Sequence, residues 1–341
     1  MSARLRAMLR YHFEDLVPGL TLAGGPIAVT REDIIGFARA FDPQPFHLDE
    51  EAARDSLLGG LIASGWHSCA LGMRLIAESL ILKANAMGSP GIDEVRWLRP
   101  VRPGDTLSSR LTVRESRPSV SKPDRGFVRL RLDLANGAGE TVMIQDCWVM
   151  FGRRGAAPLP PRAVPPAPDA PADAADPLTA FPAGPVETLE VGATYDLGSY
   201  RFAREEILRF ARAFDPQPFH LDEAAARASH FGGLCASGWH TAAAWMNRMV
   251  AARERGVAAA RERGEPVAAS GPSPGFRDLK WLKPVYAGDT IRYAATITEA
   301  RPSRSRPGWG LVGHTATGVN QHGDTVFSFR GAWLAEARAG R

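Results

Sequence analysis

Cysteine is scarce in this chain, which has three in 341 residues. An odd number without C-x-x-C spacing argues against a disulfide framework and against a zinc site, so we expect no bound metal. Free thiols suit a reducing compartment, and the sequence therefore favours a cytoplasmic location. The three positions are Cys69, Cys147 and Cys235.

Long apolar runs are also missing. No stretch approaches the roughly 18 residues that a membrane span needs, and the first residues, MSARLRAMLRYHFEDL, lack the apolar core of a signal peptide. The net charge is +4, yet basic residues form no continuous stripe with interleaved aromatics. We therefore expect neither a membrane nor a nucleic acid as partner. The mild positive excess either suits a polyanionic small molecule or has no specific meaning.

What the sequence does have is an internal repeat. The segment Phe37–Glu50 reads FARAFDPQPFHLDE, and Phe210–Glu223 reads the same fourteen letters. The match continues through GGLIASGWH and GGLCASGWH, and later through Trp97 and Trp281. The spacing between equivalent positions grows from 173 (Phe37 to Phe210) to 184 (Trp97 to Trp281). The second copy therefore contains eleven extra residues, which we expect in a lengthened helix end and the loop after it.

The segment between the copies, residues 153–185, is rich in Pro and Ala and nearly devoid of large apolar side chains. Such a composition cannot form a core and favours an extended, semi-rigid linker. The sequence thus predicts domains at 1–152 and 186–341. No cysteine recurs at the equivalent place in the other copy, so none is a good candidate nucleophile.

Each copy has the same order of predicted elements. Thr30 can cap a helix with Asp33 three residues on, and Ile34, Ile35 and Ala38 then follow helical spacing. Ser64 opens a long apolar helix that we expect to reach about residue 83. Four strands are predicted near residues 94–97, 106–117, 126–135 and 141–151. One long helix followed by antiparallel strands indicates an α+β fold, with a sheet wrapped around a central helix.

The repeated DPQPFH segment places a carboxylate and an imidazole five residues apart: Asp42 and His47, and again Asp215 and His220. Two prolines prevent the preceding helix from continuing and stiffen what we expect to be a non-helical loop. A converging Asp and His can hold and activate one water molecule as a general acid/base pair. The alternative is that Asp42 only caps a turn and that His47 is structural.

A glycine follows the capping serine of each long helix, Gly65 in the first copy and Gly238 in the second. The N–H of a first-turn residue is unpaired within its helix and is favoured by the helix dipole as an anion donor. Such a donor suits a developing oxyanion, for example the enolate oxygen of a thioester. We expect the nearby His67 and His240 to serve packing rather than catalysis.

Two equivalent hairpins carry basic side chains. Arg117 and Lys122 lie in the first, and Arg301 and Arg304 in the second. These loops could hold the phosphates of coenzyme A. The alternative is a solvated charged loop.

At these residues the chain resembles the MaoC-like dehydratase family, which includes the (R)-specific enoyl-CoA hydratases and carries a D-x-N-P-x-H motif. The resemblance covers nearly all of both copies and implies two tandem hot dog domains that pair as one intramolecular double hot dog. It implies that Asp42 and His47, and Asp215 and His220, activate water, while the N–H of Gly65 or Gly238 binds the thioester oxygen. Because both copies keep the motif, it suggests two sites.

The resemblance implies no cofactor beyond the coenzyme A of an acyl-CoA substrate, and a homodimer of double hot dogs is possible. The chain departs from the family pattern in two ways. In the motif, an extra Pro follows the Asp, and the family's Asn is replaced by Gln44 or Gln217. Before the helix-opening Gly, the family's His is replaced by Ser64 or Ser237.

Three functions compete at this point. The first is a hydratase or dehydratase that interconverts 2-enoyl and 3-hydroxyacyl thioesters. The second is an acyl-CoA thioesterase, against which the position of the His in the hydratase motif argues. The third is a non-catalytic protein that binds acyl thioesters, and the intact Asp/His pair in both copies counts against it.

Overall fold

The structure is a computed structural model that describes residues 10–54, 56–157, 159–165 and 179–338. The two copies form an N-terminal half, to residue 152, and a C-terminal half, from residue 186. The N-terminal half consists of β1 (Thr21–Ala28), α1 (Arg31–Phe41), α2 (Pro45–Leu48), α3 (Glu50–Arg54), α4 (Gly65–Ser79), β2 (Gly91–Trp97), β3 (Thr106–Pro118), β4 (Arg125–Ala135) and β5 (Thr141–Gly152).

The C-terminal half repeats this order. It consists of β6 (Thr194–Arg201), α5 (Arg204–Phe214), α6 (Pro218–Leu221), α7 (Glu223–Ala228), α8 (Gly238–Glu262), β7 (Gly275–Trp281), β8 (Thr290–Pro302), β9 (Trp309–Asn320) and β10 (Thr325–Glu336). Short 3₁₀ turns precede β1 and β6. In the ranges that the structure describes, no helix is both long and apolar enough to cross a membrane.

All ten strands belong to one antiparallel sheet with the order β1-β3-β4-β5-β2-β7-β10-β9-β8-β6. The two halves meet at its centre, where β2 pairs with β7. Each of these strands begins with a glycine: a Cβ on Gly91 would lie 1.9 Å from the Leu279 carbonyl oxygen, and one on Gly275 would lie 1.9 Å from that of Val95. The close approach of the two backbones therefore requires glycine at both positions, and the expected edge-to-edge pairing of two hot dog units is confirmed.

The long helices α4 and α8 lie against the sheet. Gly72 of α4 contacts the side chains of Leu132 and Met143, and the carbonyl of Thr241 in α8 accepts a hydrogen bond from the Tyr293 hydroxyl at 2.9 Å. Strand β4 alternates buried and half-buried residues along its whole length, as expected of a strand with one face on the core. The predicted α+β fold, a sheet around a central helix in each half, is confirmed.

A second contact between the halves is aromatic. Phe37 and Phe41 of α1 meet Phe214 and Phe210 of α5 edge to face, at ring-centroid distances of 5.7 and 5.6 Å. Aromatic pairs favour this geometry. The repeated FARAF letters therefore have a structural role of their own, because they hold the two halves together beside the segment that carries Asp and His.

The elements differ from expectation in two respects and agree with it in a third. Helix α4 ends at Ser79, and residues 81–83 form a separate 3₁₀ turn instead of continuing the helix. The first strand of each half was not predicted, since its glycines mask the alternation of apolar residues. The extra residues of the second copy do lengthen its helix, because α8 has 25 residues and α4 has 15.

The predicted linker lies between β5, which ends at Gly152, and a 3₁₀ turn that begins at Val186. Residues 166–178 of this segment are outside the described residues, so the domain bounds 1–152 and 186–341 stay a prediction. Its first residue, Arg153, contacts Glu14 of the N-terminal half, and its later described parts contact the C-terminal half. Phe181 is fully buried, and its N–H donates to the carbonyl of Ala252 in α8 at 2.9 Å.

Candidate active site

Asp42 and His47 lie on opposite sides of a sharp turn. Asp42 is the residue at which α1 ends, and His47 belongs to α2. The expectation of an entirely non-helical loop is wrong, because Pro45 begins a single helical turn. Proline is tolerated at that first position, where its missing N–H would have no partner in the helix. Both side chains are buried, at 3% and 4% exposure.

Hydrogen bonds fix the Asp42 carboxylate. The Ser64 hydroxyl donates to Oδ2 at 2.6 Å, and the Gln44 amide donates to Oδ1 at 2.9 Å. Ser64 also accepts the Trp66 N–H at 3.2 Å and so caps helix α4. The predicted capping serine therefore has a second task, since it ties the start of the long helix to the carboxylate.

The tautomer of His47 follows from its surroundings. Its Nδ1 lies 2.9 Å from the Ile62 carbonyl oxygen, which can only accept, so Nδ1 carries the proton. In a neutral ring this leaves a lone pair on Nε2, which lies 3.4 Å from Oδ2 of Asp42. At that separation both atoms can hydrogen bond one small molecule that lies beside them. The pair can therefore accept and return a proton.

The second copy repeats this geometry. The Ser237 hydroxyl donates to Asp215 at 2.6 Å, and the Gln217 amide donates to the same carboxylate at 2.9 Å. Nδ1 of His220 lies 2.7 Å from the Cys235 carbonyl oxygen, and its Nε2 lies 3.5 Å from Asp215. The local sequence thus builds the same Asp/His dyad twice.

Gly65 and Gly238 begin the two long helices, and within the described residues no acceptor takes the N–H of either one. Each glycine lies flat against an indole ring: a Cβ would be 2.5 Å from Trp97 or 2.3 Å from Trp281. Any larger residue would therefore push the tryptophan away. An unpaired N–H at a helix N-terminus is a suitable donor to an anionic oxygen.

A cavity of about 1180 Å³ lies beside the first dyad. Asp42, His47 and Gly65 line one part of it. The remainder runs between α8 and strands β9 and β10 of the C-terminal half, where Trp245, His314 and Trp333 form its walls, among other residues. The cavity therefore joins the dyad of one half to a chamber inside the other half.

Comparison with known proteins agrees with this architecture. The profile of the MaoC-like domain matches residues 18–129 and 185–319. The chain belongs to the MaoC-like domain family.

Two solved structures match nearly the whole chain and show the fold. A putative MaoC domain protein dehydratase from Chloroflexus aurantiacus is 21% identical with a TM-score of 0.76, over 96% of this chain and 98% of that one. A conserved hypothetical protein from Mycobacterium tuberculosis, described as having a double hotdog fold, is 18% identical with a TM-score of 0.67, over 95% and 98%. The chain is accordingly a double hot dog.

Among curated proteins, mesaconyl-CoA hydratase of Cereibacter sphaeroides is 40% identical over 85 residues. The aligned part is 25% of this chain and 24% of that protein. The chain thus matches about a quarter of the length of this relative.

The second dyad, Asp215 and His220, differs from the first in its surroundings. None of Asp215, His220 and Gly238 is among the described residues that line the large cavity. The linker crosses this region: the N–H of Arg162 donates to the His230 carbonyl at 3.2 Å, and a Cβ on Gly232 would lie 2.1 Å from the Arg162 carbonyl oxygen.

Two further contacts lie in the same region of the C-terminal half. Val164 of the linker lies against Gly233, whose Cβ would be 2.9 Å away, and the Phe231 ring lies 3.4 Å from the Cβ position of Gly88 in the other half. In the first half, a Cβ on Gly59, the counterpart of Gly232, would meet nothing within 4 Å in the described part of the chain. The linker thus packs on the C-terminal unit at Gly232 and Gly233, a contact without a counterpart at Gly59 in the described residues.

The basic hairpins of the two halves also differ in the cavities that they line. Arg301 and Arg304 of the C-terminal half line the large cavity and so share it with Asp42 and His47. Arg117 lines a separate cavity of about 290 Å³, where its guanidinium lies 5.1 Å from the centroid of Trp148. Lys122 is not among the described residues that line either cavity. The first dyad therefore shares its cavity with the basic loop of the other half.

His67 and His240 are buried among aromatic rings, as expected. His67 stacks on Phe37 at 4.6 Å, and His240 stacks on Phe210 at 4.7 Å. Burial lowers the pKa of His67 to about 4 and that of His240 to about 3. Both rings are neutral at physiological pH and serve the aromatic contact between the MaoC-like units.

The cysteines are buried as well. Burial raises the pKa of the Cys69, Cys147 and Cys235 thiols. A buried thiol with a raised pKa is a poor nucleophile, in line with the expectation from the sequence. Cys235 contributes its backbone carbonyl to the second dyad.

Sequence reasoning missed the aromatic chamber. Trp245, His314 and Trp333 occupy the positions at which the first copy has Gly72, Leu130 and Val149. A comparison of the two copies position by position shows these differences, but only the tertiary structure shows that they surround one cavity.

Proposed function

We propose that the chain is a hydro-lyase that interconverts 2-enoyl and 3-hydroxyacyl thioesters at the Asp42/His47 dyad. The observation that carries the proposal is the shared cavity. It brings together the Asp42/His47 pair, an unpaired helix-terminal N–H and an apolar chamber large enough for an acyl chain. Membership of the MaoC-like family and the similarity to a named hydratase support it.

In the proposed hydration, Asp42 and His47 hold one water molecule. As the water oxygen bonds to C3 of the enoyl group, its proton passes to Nε2 of His47, and the electron pair of the C2–C3 double bond moves toward the thioester oxygen. The neighbouring carboxylate stabilises the resulting imidazolium. Ser64 and Gln44 keep the carboxylate oriented toward the ring.

The negative charge that develops on the thioester oxygen is stabilised by the N–H of Gly65, at the positive end of the α4 dipole. The proton then returns from the imidazolium to C2, which restores the thioester carbonyl and the neutral ring. The net result is addition of H and OH across one double bond, with no external oxidant or cofactor. Dehydration is the same sequence in reverse.

The rim of the cavity suits a substrate with phosphates. Arg301 and Arg304 are placed to bind the phosphates of coenzyme A as the thioester enters the cavity. For Arg117 and Lys122 the structure offers no such shared cavity with a dyad among the described residues, and the solvated loop is the better interpretation of that hairpin.

The test is a panel of 2-enoyl-CoA thioesters, followed by the loss of absorbance of the conjugated thioester. We expect hydration of at least one of them and a fall of about 10³-fold in kcat in the Asp42→Asn variant, since general acid/base catalysis contributes 10²–10⁴-fold. A thiol-reactive dye in parallel detects thioester hydrolysis. Release of free thiol would favour a thioesterase, and tight binding without turnover would favour a non-catalytic binding protein.

A further inference from the structure

His314 lies in the wall of the cavity, on β9, and has no counterpart in the other half. The first copy has Leu130 at the equivalent position. Gly331, which pairs with His314 across β9 and β10, makes the imidazole possible, because a Cβ there would lie 2.4 Å from its Cε1 atom. The first copy has Cys147 at that place. Two neighbouring strands have therefore changed together to accommodate an imidazole.

The ring is held in a fixed orientation. It stacks on Trp245 with a centroid distance of 5.3 Å and an interplanar angle of 2°, and it meets Phe329 edge to face at 5.5 Å. Trp245 stands where the first copy has Gly72, which lets α4 lie directly on its sheet. The indole thus lies between α8 and strands β9 and β10, beside the cavity that these elements line.

His314 is 6% exposed, and neither of its ring nitrogens has a hydrogen-bond partner in the described part of the chain. The indole N–H of Trp245 also has none. Burial lowers the pKa of His314 to about 4, so the ring is neutral at physiological pH, with one donor and one acceptor. Polar groups that are buried without partners are destabilising and call for an explanation.

His240 shows what a purely structural imidazole looks like in this molecule. It is equally buried and likewise lacks a partner for its ring nitrogens among the described residues. It differs from His314 in two ways: the other copy repeats it as His67, and it does not line the cavity. Packing alone accounts for a repeated histidine in the aromatic contact, but not for a histidine that one copy has and that faces the ligand chamber.

We propose that His314, with the Trp245 N–H beside it, hydrogen bonds an oxygen of the bound thioester and thereby sets substrate specificity. The proposal rests on the proposed function, since it takes the cavity to be the thioester site. A neutral imidazole and an indole N–H suit an uncharged carbonyl or hydroxyl oxygen. That oxygen can belong to a substituent at the far end of the acyl group or to an amide of the pantetheine arm.

The experiment uses two variants and one matched control. His314→Leu installs the residue of the first copy, and His314→Gln keeps a donor and an acceptor. His240→Leu removes the other buried, stacked imidazole outside the cavity. The probes are hex-2-enoyl-CoA, 6-hydroxyhex-2-enoyl-CoA and the N-acetylcysteamine thioester of hex-2-enoic acid, which lacks most of the pantetheine arm.

We expect His314→Leu to lower kcat/KM about tenfold, mainly through KM, for the probe that carries the recognised oxygen. A loss confined to the hydroxylated probe assigns the oxygen to the acyl group. A loss with both CoA thioesters but not with the N-acetylcysteamine thioester assigns it to the pantetheine arm. His314→Gln should recover part of the loss, and His240→Leu should leave all three values within twofold.

The inference is overturned if His314→Leu leaves all three kcat/KM values unchanged, or if His240→Leu lowers them equally. Calorimetric titration of the wild type and His314→Leu with the same thioesters measures binding without turnover. Binding that weakens in the variant, in a protein that hydrates none of the probes, would reject the proposed reaction and keep the role of His314. If the protein hydrates the probes and His314→Leu leaves the turnover unaltered, the role of His314 is rejected and the proposed reaction is kept.

Discussion

The two halves of this molecule have the same dyad and differ in what surrounds it. The Ser–Asp distance is 2.6 Å in both, and the His–Asp distance is 3.4 Å in one and 3.5 Å in the other. Yet the first dyad lines the large cavity and the second does not, and the linker passes beside Gly232 and Gly233 in the half of the second dyad. Two copies of one motif can thus keep the same local geometry in different surroundings.

The difference originates in the opposite half in each case. Around the first dyad, Trp245 of α8 lines the cavity, and the lengthened helix and the loop after it extend the cavity wall. Around the second, Gly72 lets α4 lie against Leu132 and Met143. A double hot dog with two intact motifs can therefore surround them unequally, because the cavity beside one dyad is formed largely by the other half.

The largest expected effect separates the two carboxylates. Asp42→Asn should lower kcat for enoyl-CoA hydration about 10³-fold, while Asp215→Asn should change it less than twofold, because only Asp42 faces the large cavity. Steady-state rates of the two variants, made in the same protein, give the ratio. Equal losses in both would mean that the second dyad also turns over substrate, which would break the comparison.

Alanine substitutions at the two helix-opening glycines should differ in their effect on the rate but not in their effect on stability. Gly65→Ala and Gly238→Ala each place a methyl group against an indole, so both should lower the free energy of unfolding by about 1–3 kcal/mol. Gly65→Ala should also lower kcat about 10²-fold, because the methyl group pushes against Trp97 and displaces the backbone N–H that donates to the oxyanion. Denaturant titration and kinetics on the same preparations test this, and a rate loss in Gly238→Ala would contradict it.

The basic hairpins should differ in KM. Replacing Arg301 and Arg304 together by Gln should raise KM for an enoyl-CoA about tenfold and weaken its dependence on salt, because both side chains line the cavity. The matched change of Arg117 and Lys122 should leave KM within twofold. An equal rise in both double variants would show a general effect of surface charge instead of a phosphate site.

The smallest effect concerns the linker. Gly59 and Gly232 both have positive φ, +63° and +77°, so alanine should cost about 1 kcal/mol at either one. Gly232→Ala should cost about 1–3 kcal/mol more, since its Cβ would displace the Arg162 carbonyl. Trypsin should then cut after Arg162 faster in Gly232→Ala than in Gly59→Ala. Similar cleavage rates would show that the linker does not depend on this contact.

Much of the fold and of the candidate site could be predicted from the sequence. The repeat of fourteen residues predicted two equivalent units, and Thr30 and Ser64 marked the helix starts that the structure has. The Asp/His pair could be named because two prolines and a helix end confine it to a short segment. The helical turn that contains His47 was missed, since Pro45 reads as a helix breaker when its place at the first position is not known.

Sequence alone determined the family, the two halves and the identity of both dyads, since all of these rest on short-range spacing repeated along the chain. The tertiary structure alone decided that the dyads are unequal. Cavity walls are formed by residues hundreds of positions apart, such as His47 and His314, and no local pattern relates them. The path of the linker past Gly232 is likewise a long-range contact, and it has no counterpart at Gly59 in the described residues, although the DPQPFH motif reads identically in both copies.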